Sequence, residues 1–174
     1  MASIAKTAKV KLVIQQCLSA RLKLPRDSEE GPESAQKTLE IARGMVVFVC
    51  FLKGAETADA VRAAKTVLGV KLCEAEADAD NPSTKTKRSD VLGAGGDLLV
   101  VPQATLGGKL KGKSLQYHDN IAKDEGIALY DSFNAELKSG VSQSGRSRVE
   151  SGIYGARQIL NVDTNGPFTH VFEL

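Results

Sequence analysis

The stretch Gly44-Met45-Val46-Val47-Phe48-Val49-Cys50-Phe51-Leu52 is an unbroken apolar run rich in β-branched and aromatic residues. It falls well short of the roughly 20 residues that a membrane-spanning helix needs. Its residue types are those of a strand, and the lack of polar alternation predicts a central strand covered on both faces.

Downstream, after Lys53-Gly54, Thr57 is a plausible N-cap, and Ala60, Val61, Ala64, Val67 and Leu68 recur at helical spacing before Gly69. This predicts a helix packed on the sheet. Val70–Glu74 reads as a further strand, and 75–89 as a charged, solvated loop containing Lys85, Lys87 and Arg88. Gly93-Ala94-Gly95-Gly96 precedes the strand Asp97–Val101, whereas a phosphate cradle needs its glycines between a strand and a following helix, so nucleotide binding is rejected. Pro102 should end ladder pairing. Gln103-Ala104-Thr105-Leu106 then stands at a strand end, before the flexible basic loop 107–113. Ile127, Tyr130, Phe133 and Leu137 form one apolar stripe of a second helix over 122–138, with Lys138 and Gly140 suited to its C-terminus. After a polar, Ser-rich 141–150, Ile153–Val162 and Phe168–Glu173 read as two strands joined as a hairpin by Thr164-Asn165-Gly166-Pro167. Asn and Gly tolerate positive φ there, and Pro fixes its own φ and donates no N–H.

Upstream, Val10–Leu18 is a predicted strand with a possible continuation through Leu22, and Thr38–Ala42 a short one. Between them, 23–37 holds Pro25, Gly31, Pro32 and several charges, a polar insertion that buries little. Strands outnumber helices. The expected class is α+β, with a mostly antiparallel, curved, barrel-like sheet and about two packed helices in a single domain over 1–174.

Composition narrows the chemistry. A chain of 174 residues with 42% hydrophobic content suits one domain with a core, and a net charge of +2 restricts any nucleic-acid contact to a local patch. The N-terminus has no cationic segment followed by an apolar core, so a soluble, cytoplasmic protein is expected, with no membrane partner. Cys17, Cys50 and Cys73 lie far apart inside apolar segments, as buried free thiols do; no metal and no cofactor are expected. His118 and His170 sit in no nucleophile motif, and the carboxylates show no acid/base spacing. Side chains alone do not declare an enzyme. A hydrolase could still work if backbone groups orient a substrate that brings its own hydroxyl.

The pairing of Leu98-Leu99-Val100-Val101-Pro102-Gln103-Ala104-Thr105-Leu106 with Thr164-Asn165-Gly166-Pro167-Phe168-Thr169 resembles the two signatures of the D-aminoacyl-tRNA deacylase family. It is most similar to the animal-type branch, whose pattern is Pro-Gln-Ala-Thr-Leu-Gly-Gly with Thr-Asn-Gly-Pro-x-Thr-His. Gln15-Gln16-Cys17-Leu18, Val49-Cys50-Phe51, Lys53-Gly54-Ala55, Leu110-Lys111-Gly112 and Gln116-Tyr117-His118 extend the likeness. The resemblance implies an esterase for mischarged aminoacyl-tRNA, acting on D-aminoacyl-tRNAs and on L-alanine attached to threonine tRNA. Its pocket would form across a homodimer. Gln103, Ala104 and Thr105 would position the terminal adenosine and the ester, with attack by water assisted by the ribose 2′-hydroxyl and no side-chain nucleophile. Pro102, Leu106, Thr164, Asn165, Gly166, Pro167, Phe168 and Thr169 would shape the substrate site, around a trans Gly166–Pro167 bond. Gln15-Gln16 stands where the broader family has Gln-Arg, which makes Arg157 the candidate orienting residue. Lys109, Lys111 and Lys113, with Lys85, Lys87 and Arg88, are candidates for acceptor-stem phosphates. A module that binds tRNA without turnover is the alternative.

Overall fold

The computed structural model describes residues 7–25, 36–74, 88–166 and 168–174. In chain order these form β1 (Val10–Cys17), β2 (Ser19–Lys23), β3 (Thr38–Ile41), β4 (Gly44–Phe51), α1 (Thr57–Gly69), β5 (Cys73–Glu74), β6 (Arg88–Ser89), β7 (Asp97–Pro102), a 3-10 turn (Ala104–Gly107), β8 (Lys109–Lys111), β9 (Ser114–Gln116), α2 (Lys123–Ser142), β10 (Val149–Ser151), β11 (Ile159–Asp163) and β12 (Thr169–Glu173). Most of 23–37 and 75–89, together with Lys85, Lys87 and Pro167, lies outside the described residues.

The apolar run is β4, and its two faces serve two cores. Met45, Val47, Val49 and Phe51 pack with Ala60, Ala64 and Val67 of α1 and Phe133 and Leu137 of α2. Val46 points the other way, into a cluster with Leu99, Val101, Leu22 and Ile41, and half-buried Phe48 packs against it. Three layers result: two helices, a five-stranded sheet ordered β10-β7-β4-β1-β12, and a three-stranded sheet ordered β11-β2-β3. A strand sandwiched in this way can carry no polar residue on either face, which is why the run does not alternate.

Six of the eight strand pairings among the described residues are antiparallel. The two parallel ones, β4 with β7 and β7 with β10, are bridged by α1 and α2 respectively. The α+β class holds, but the sheets are open and do not close into a barrel. The carboxylate of Asp97, at the start of β7, accepts from Ala42 N–H, Arg148 N–H and Arg148 Nε, each at 3.1 Å. Gly44 lies so close to Asp97 that a Cβ there would overlap its backbone.

Several expectations change in detail. β11 and β12 do not form a hairpin: β11 pairs with β2 and β12 with β1, in different sheets. The chain switches sheets at the same level on both passes, at Leu18 and at 164–168, joined there by Leu18 N–H to Asp163 O at 2.8 Å and Gln16 N–H to Phe168 O at 3.1 Å. The N-cap of α1 is Glu56, whose N–H donates to the Asp59 carboxylate at 3.0 Å, rather than Thr57. Helix α2 continues to Ser142, and Gly140 is a packing position where a Cβ would meet Leu68. Ile127 is 36% exposed, while Leu129 and Asn134 join the buried face. Residues 153–158 form a loop, and the polar segment 141–150 runs into β10 at Val149. The basic loop 107–113 enters a second hairpin, β8–β9.

Phe133 is fully buried, edge-on to Phe51 with ring centroids 6.3 Å apart. Phe133→Ala should lower unfolding stability by about 3–5 kcal/mol, read in urea as a lower midpoint at unchanged slope.

Candidate functional site

Where β7 ends, the chain stays attached to β4 through Gln103 N–H to Val49 O at 2.8 Å. It then tightens into the 3-10 turn, held by Leu106 N–H to Gln103 O at 3.2 Å and Gly108 N–H to Thr105 O at 3.1 Å. Ala104 and Thr105 are exposed, and N–H groups in the first turn of a helix have no partner within it. The turn thus presents backbone donors at the edge of a cleft of about 480 Å³. Pro102, Gln103, Ala104 and Thr105 form one side of the cleft, 154–158 the other, and Leu22, Phe48, Val101 and Leu160 complete it. Leu106 is half-buried and does not line it.

Arg157 lies in the loop that lines the opposite side and is exposed. The loop is pinned by Gln158, whose Oε1 accepts from Ile153 N–H at 2.8 Å and whose Nε2 donates to Ile153 O at 3.3 Å. Its Tyr154 packs on Tyr130 with ring centroids 5.5 Å apart.

Among the described residues no activated nucleophile stands in this cleft. The Thr105 hydroxyl accepts from Gln103 Nε2 at 2.5 Å, and neither histidine is among the lining residues. Cys50 lies behind the turn, with Sγ 3.7 Å from Ala104 O, and burial pushes its thiol up. It therefore stays protonated at neutral pH and serves as a weak donor. Asn120, just before α2, donates from Nδ2 to the same carbonyl at 2.8 Å. What the cleft offers a substrate is backbone N–H groups, a side-chain amide and a guanidinium.

The second motif is held by Gln15. Its Nε2 donates to Gln16 O at 2.8 Å and reaches Thr164 Oγ1 at 3.3 Å and Gly166 O at 3.4 Å, while its Oε1 accepts from the Thr169 hydroxyl. Thr164 Oγ1 also donates to Gly166 O at 2.6 Å, and Phe168 N–H donates to the same oxygen at 2.9 Å. The Phe168 ring covers Gly166 where a Cβ would sit. The Gly166–Pro167 bond, expected to be trans, lies outside the described residues.

Among the described residues of one chain the two motifs line different cavities. Asn165 lines a separate, smaller cavity with Gln16, Cys17, Arg43, Cys73 and the glycines 95–96. The registers Gln15↔Thr169, Gln15↔Val46 and Val49↔Pro102 place the motifs on opposite sides of the sheet and several residues apart along it. Strand spacings of about 4.8 Å across and 3.3 Å along then put Gly166 roughly 20 Å or more from Gln103.

A family model of D-Tyr-tRNA(Tyr) deacylase matches residues 13–173, nearly the whole chain and both motifs. The chain belongs to this deacylase family. It is 45% identical over 169 residues to the D-aminoacyl-tRNA deacylase 2 of Danio rerio, covering 95% of this chain and 99% of that one. The Homo sapiens protein of the same name is 40% identical over 179 residues, at 99% of both chains. Among solved structures, a probable eukaryotic D-amino acid tRNA deacylase superposes with a TM-score of 0.77 at 26% identity, covering 95% of this chain and all of that one. A c-Myc DNA unwinding element binding protein shares the fold, with a TM-score of 0.75 at 21% identity over 94% of this chain and 98% of that one.

Of the expected basic contacts, Lys109 is ion-paired with Asp119, whose carboxyl that hydrogen bond and charge hold below its usual range. Lys111 and Lys113, nearer the β8–β9 tip, are exposed. Among the described residues no cluster of three or more His, Cys, Asp or Glu could hold a metal ion, and no helix is long and apolar enough to cross a membrane. Gln15 and Asn120 are the site residues that the sequence did not single out. The sequence marks Gln15 only as the glutamine shared with the broader pattern, the missing arginine falling at Gln16, whereas a lone Asn before a helix carries no signal.

Burial raises the thiols of Cys17 and Cys73 from an ordinary 9.0 to about 11. Unfolding exposes them and restores the ordinary value. Below about pH 9 both states hold the thiol protons and the contribution is complete; above it the unfolded chain releases protons the folded chain still holds, so stability falls with rising pH. Urea midpoints should therefore fall between about pH 9 and 11 in the wild type, and fall less in a Cys17→Ala, Cys73→Ala double variant.

Proposed function

We propose that the chain hydrolyses the ester linking a misplaced amino acid to the 3′ end of tRNA, taking D-aminoacyl-tRNAs and L-alanyl-tRNA of the threonine type, in the cytoplasm. The observation that carries this reading is the 3-10 turn at the end of β7. Its exposed first-turn backbone faces Arg157 across a cleft whose described residues include no activated nucleophile. The names of its relatives, D-aminoacyl-tRNA deacylases, supply the substrate class.

In the proposed reaction water adds to the ester carbonyl carbon, assisted by the vicinal ribose 2′-hydroxyl. The carbonyl oxygen becomes anionic and is met by backbone N–H groups of the turn. The carbonyl re-forms as the bond to the 3′-oxygen breaks, and that oxygen takes a proton. Free amino acid and tRNA with a 3′-hydroxyl leave. Gln103 and Thr105 hold the adenosine and ester, and Arg157 orients the wall of the amino-acid pocket. A pocket wide enough for a small L side chain still rejects larger ones by volume, and a trans Gly166–Pro167 bond belongs to that wider pocket.

The wall is proposed to come from a second copy. Gly166 is too far from Gln103 for one chain to supply both, and among the described residues β12 leaves an unpaired sheet edge beside the turn at 164–166. Val171 on that strand is 70% exposed and Phe168 40%, apolar area of the kind that a twofold partner covers.

Purified protein incubated with D-tyrosyl-tRNA and with L-alanyl-tRNA of the threonine type should release both amino acids. Loss of neither ester would leave only a binding module. Thr105→Ala should keep most of the activity if its hydroxyl is no nucleophile. For the dimer, Gln103→Ala and Gly166→Val chains, each inactive alone, should regain about a quarter of wild-type activity when co-refolded, because half the dimers then carry one intact composite site. A mixture that stays inactive would mean that each protomer uses its own turn. Lys111→Glu with Lys113→Glu should raise KM and flatten its salt dependence with kcat little changed, as lost phosphate contacts do.

A further inference from the structure

Asn120 lies behind the 3-10 turn, outside the cleft lining. Its backbone is fixed on both sides. Its own N–H donates to Tyr117 O at 3.1 Å, the preceding carbonyl of Asp119 accepts from Lys53 N–H at 2.7 Å, and the residue bridges to Leu52 at the end of the central strand. From this seat its Nδ2 donates to Ala104 O at 2.8 Å.

The amide has only one useful orientation. Reversing it would set Oδ1 against the Ala104 carbonyl oxygen. In the observed orientation Oδ1 is buried with no hydrogen-bond partner among the described residues, and it faces Gly107, where a Cβ would overlap it outright. It therefore meets a Gly107 Cα–H, a weak contact that only glycine leaves room for. A buried acceptor without a full partner is costly. That cost is tolerated for one hydrogen bond, the bond to Ala104.

A trans peptide points its C=O and N–H in opposite directions, and no described peptide is cis. Holding the Ala104 oxygen from behind therefore aims the Thr105 N–H out of the far side of the same peptide. Thr105 lines the cleft. We propose that Asn120 is a positioning residue of the deacylase site: by gripping the Ala104 carbonyl it aims the Thr105 N–H at the oxygen that becomes anionic when water adds to the aminoacyl ester. The proposal rests on the hydrolase reading above. Charge appears on that oxygen only in the transition state, so the effect falls on kcat and leaves tRNA affinity alone.

The test uses the full-length chain and D-tyrosyl-tRNA, with wild type measured alongside. Asn120→Ala should lower kcat by about 10–100-fold with KM within about threefold, less than or equal to the loss of an oxyanion donor outright. Asn120→Asp keeps the shape but, when ionised, has no proton for the Ala104 oxygen; when protonated it has one. Its kcat relative to wild type should therefore rise as pH falls from about 8 to 5, with the carboxyl lifted above its ordinary range by the facing carbonyl. A purely structural role would not produce that pH dependence. Gly107→Ala should displace Oδ1 and lower kcat with Asn120 still present. An Asn120→Ala chain within about twofold of wild-type kcat, or an Asn120→Asp ratio flat in pH, overturns the proposal. Should Asn120→Ala fail to fold, the Asn120→Asp ratio settles the question alone. A wild type that cleaves no aminoacyl ester defeats the hydrolase reading and this proposal together, an outcome distinct from an active wild type with an indifferent variant.

Discussion

Double-sided burial of β4 is the constraint on which the rest of the molecule depends. Met45, Val47, Val49 and Phe51 need the helices, and Val46 and Phe48 need the small sheet, so neither cover can be removed without exposing a face of the same strand. At about 25 cal/mol per Å² of apolar surface, each face contributes several kcal/mol, comparable to the net stability of an ordinary domain. The strand also fixes its neighbours. β1 and β7 pair with it on either side, and through them it sets the height at which β7 stops and the level at which β1 hands the chain to β2.

The candidate site grows from the end of that strand. Val49 O receives Gln103 N–H, Cys50 Sγ approaches Ala104 O, Phe51 O receives Ile121 N–H, and Leu52 bridges to Asn120. The last three residues of the most buried strand, with Leu52 just after it, thus hold the 3-10 turn and the segment behind it. Backbone donors can be aimed to a fraction of an ångström only where the backbone itself cannot drift, and a strand packed on both faces is the stiffest support this fold has. A site that relies on peptide groups instead of reactive side chains has to be built in such a place.

The sequence showed the parts of this arrangement that leave a local signature. The two-faced strand announced itself by lack of alternation, α1 by its helical stripe, and the Gln103–Leu106 segment by standing between a strand and a glycine-rich loop. It misread what depends on distant partners. Ile159–Asp163 and Thr169–Glu173 look like the arms of a hairpin because a turn sequence lies between them, yet β2 and β1 compete for them in separate sheets and win. Val149–Ser151 is too short and too polar to read as a strand, and β7 recruits it by parallel pairing. Gln15 holds the Thr164–Thr169 turn across 149 to 154 residues of intervening chain, a contact that no window of sequence contains.

The same comparison changes how Gln15-Gln16 is understood. Read in sequence, glutamine in place of arginine is a loss, a missing charge to be replaced from Arg157. In the folded chain the residue at the arginine's place, Gln16, donates from its amide to Leu72 O, and it is Gln15, the glutamine common to both patterns, that donates toward Gly166 O and Thr164 Oγ1 while accepting from the Thr169 hydroxyl. The glutamine therefore closes the turn onto its own chain. Arg157 lies exposed in the loop beside the cleft, so within one chain the turn is held by the Gln15 amide.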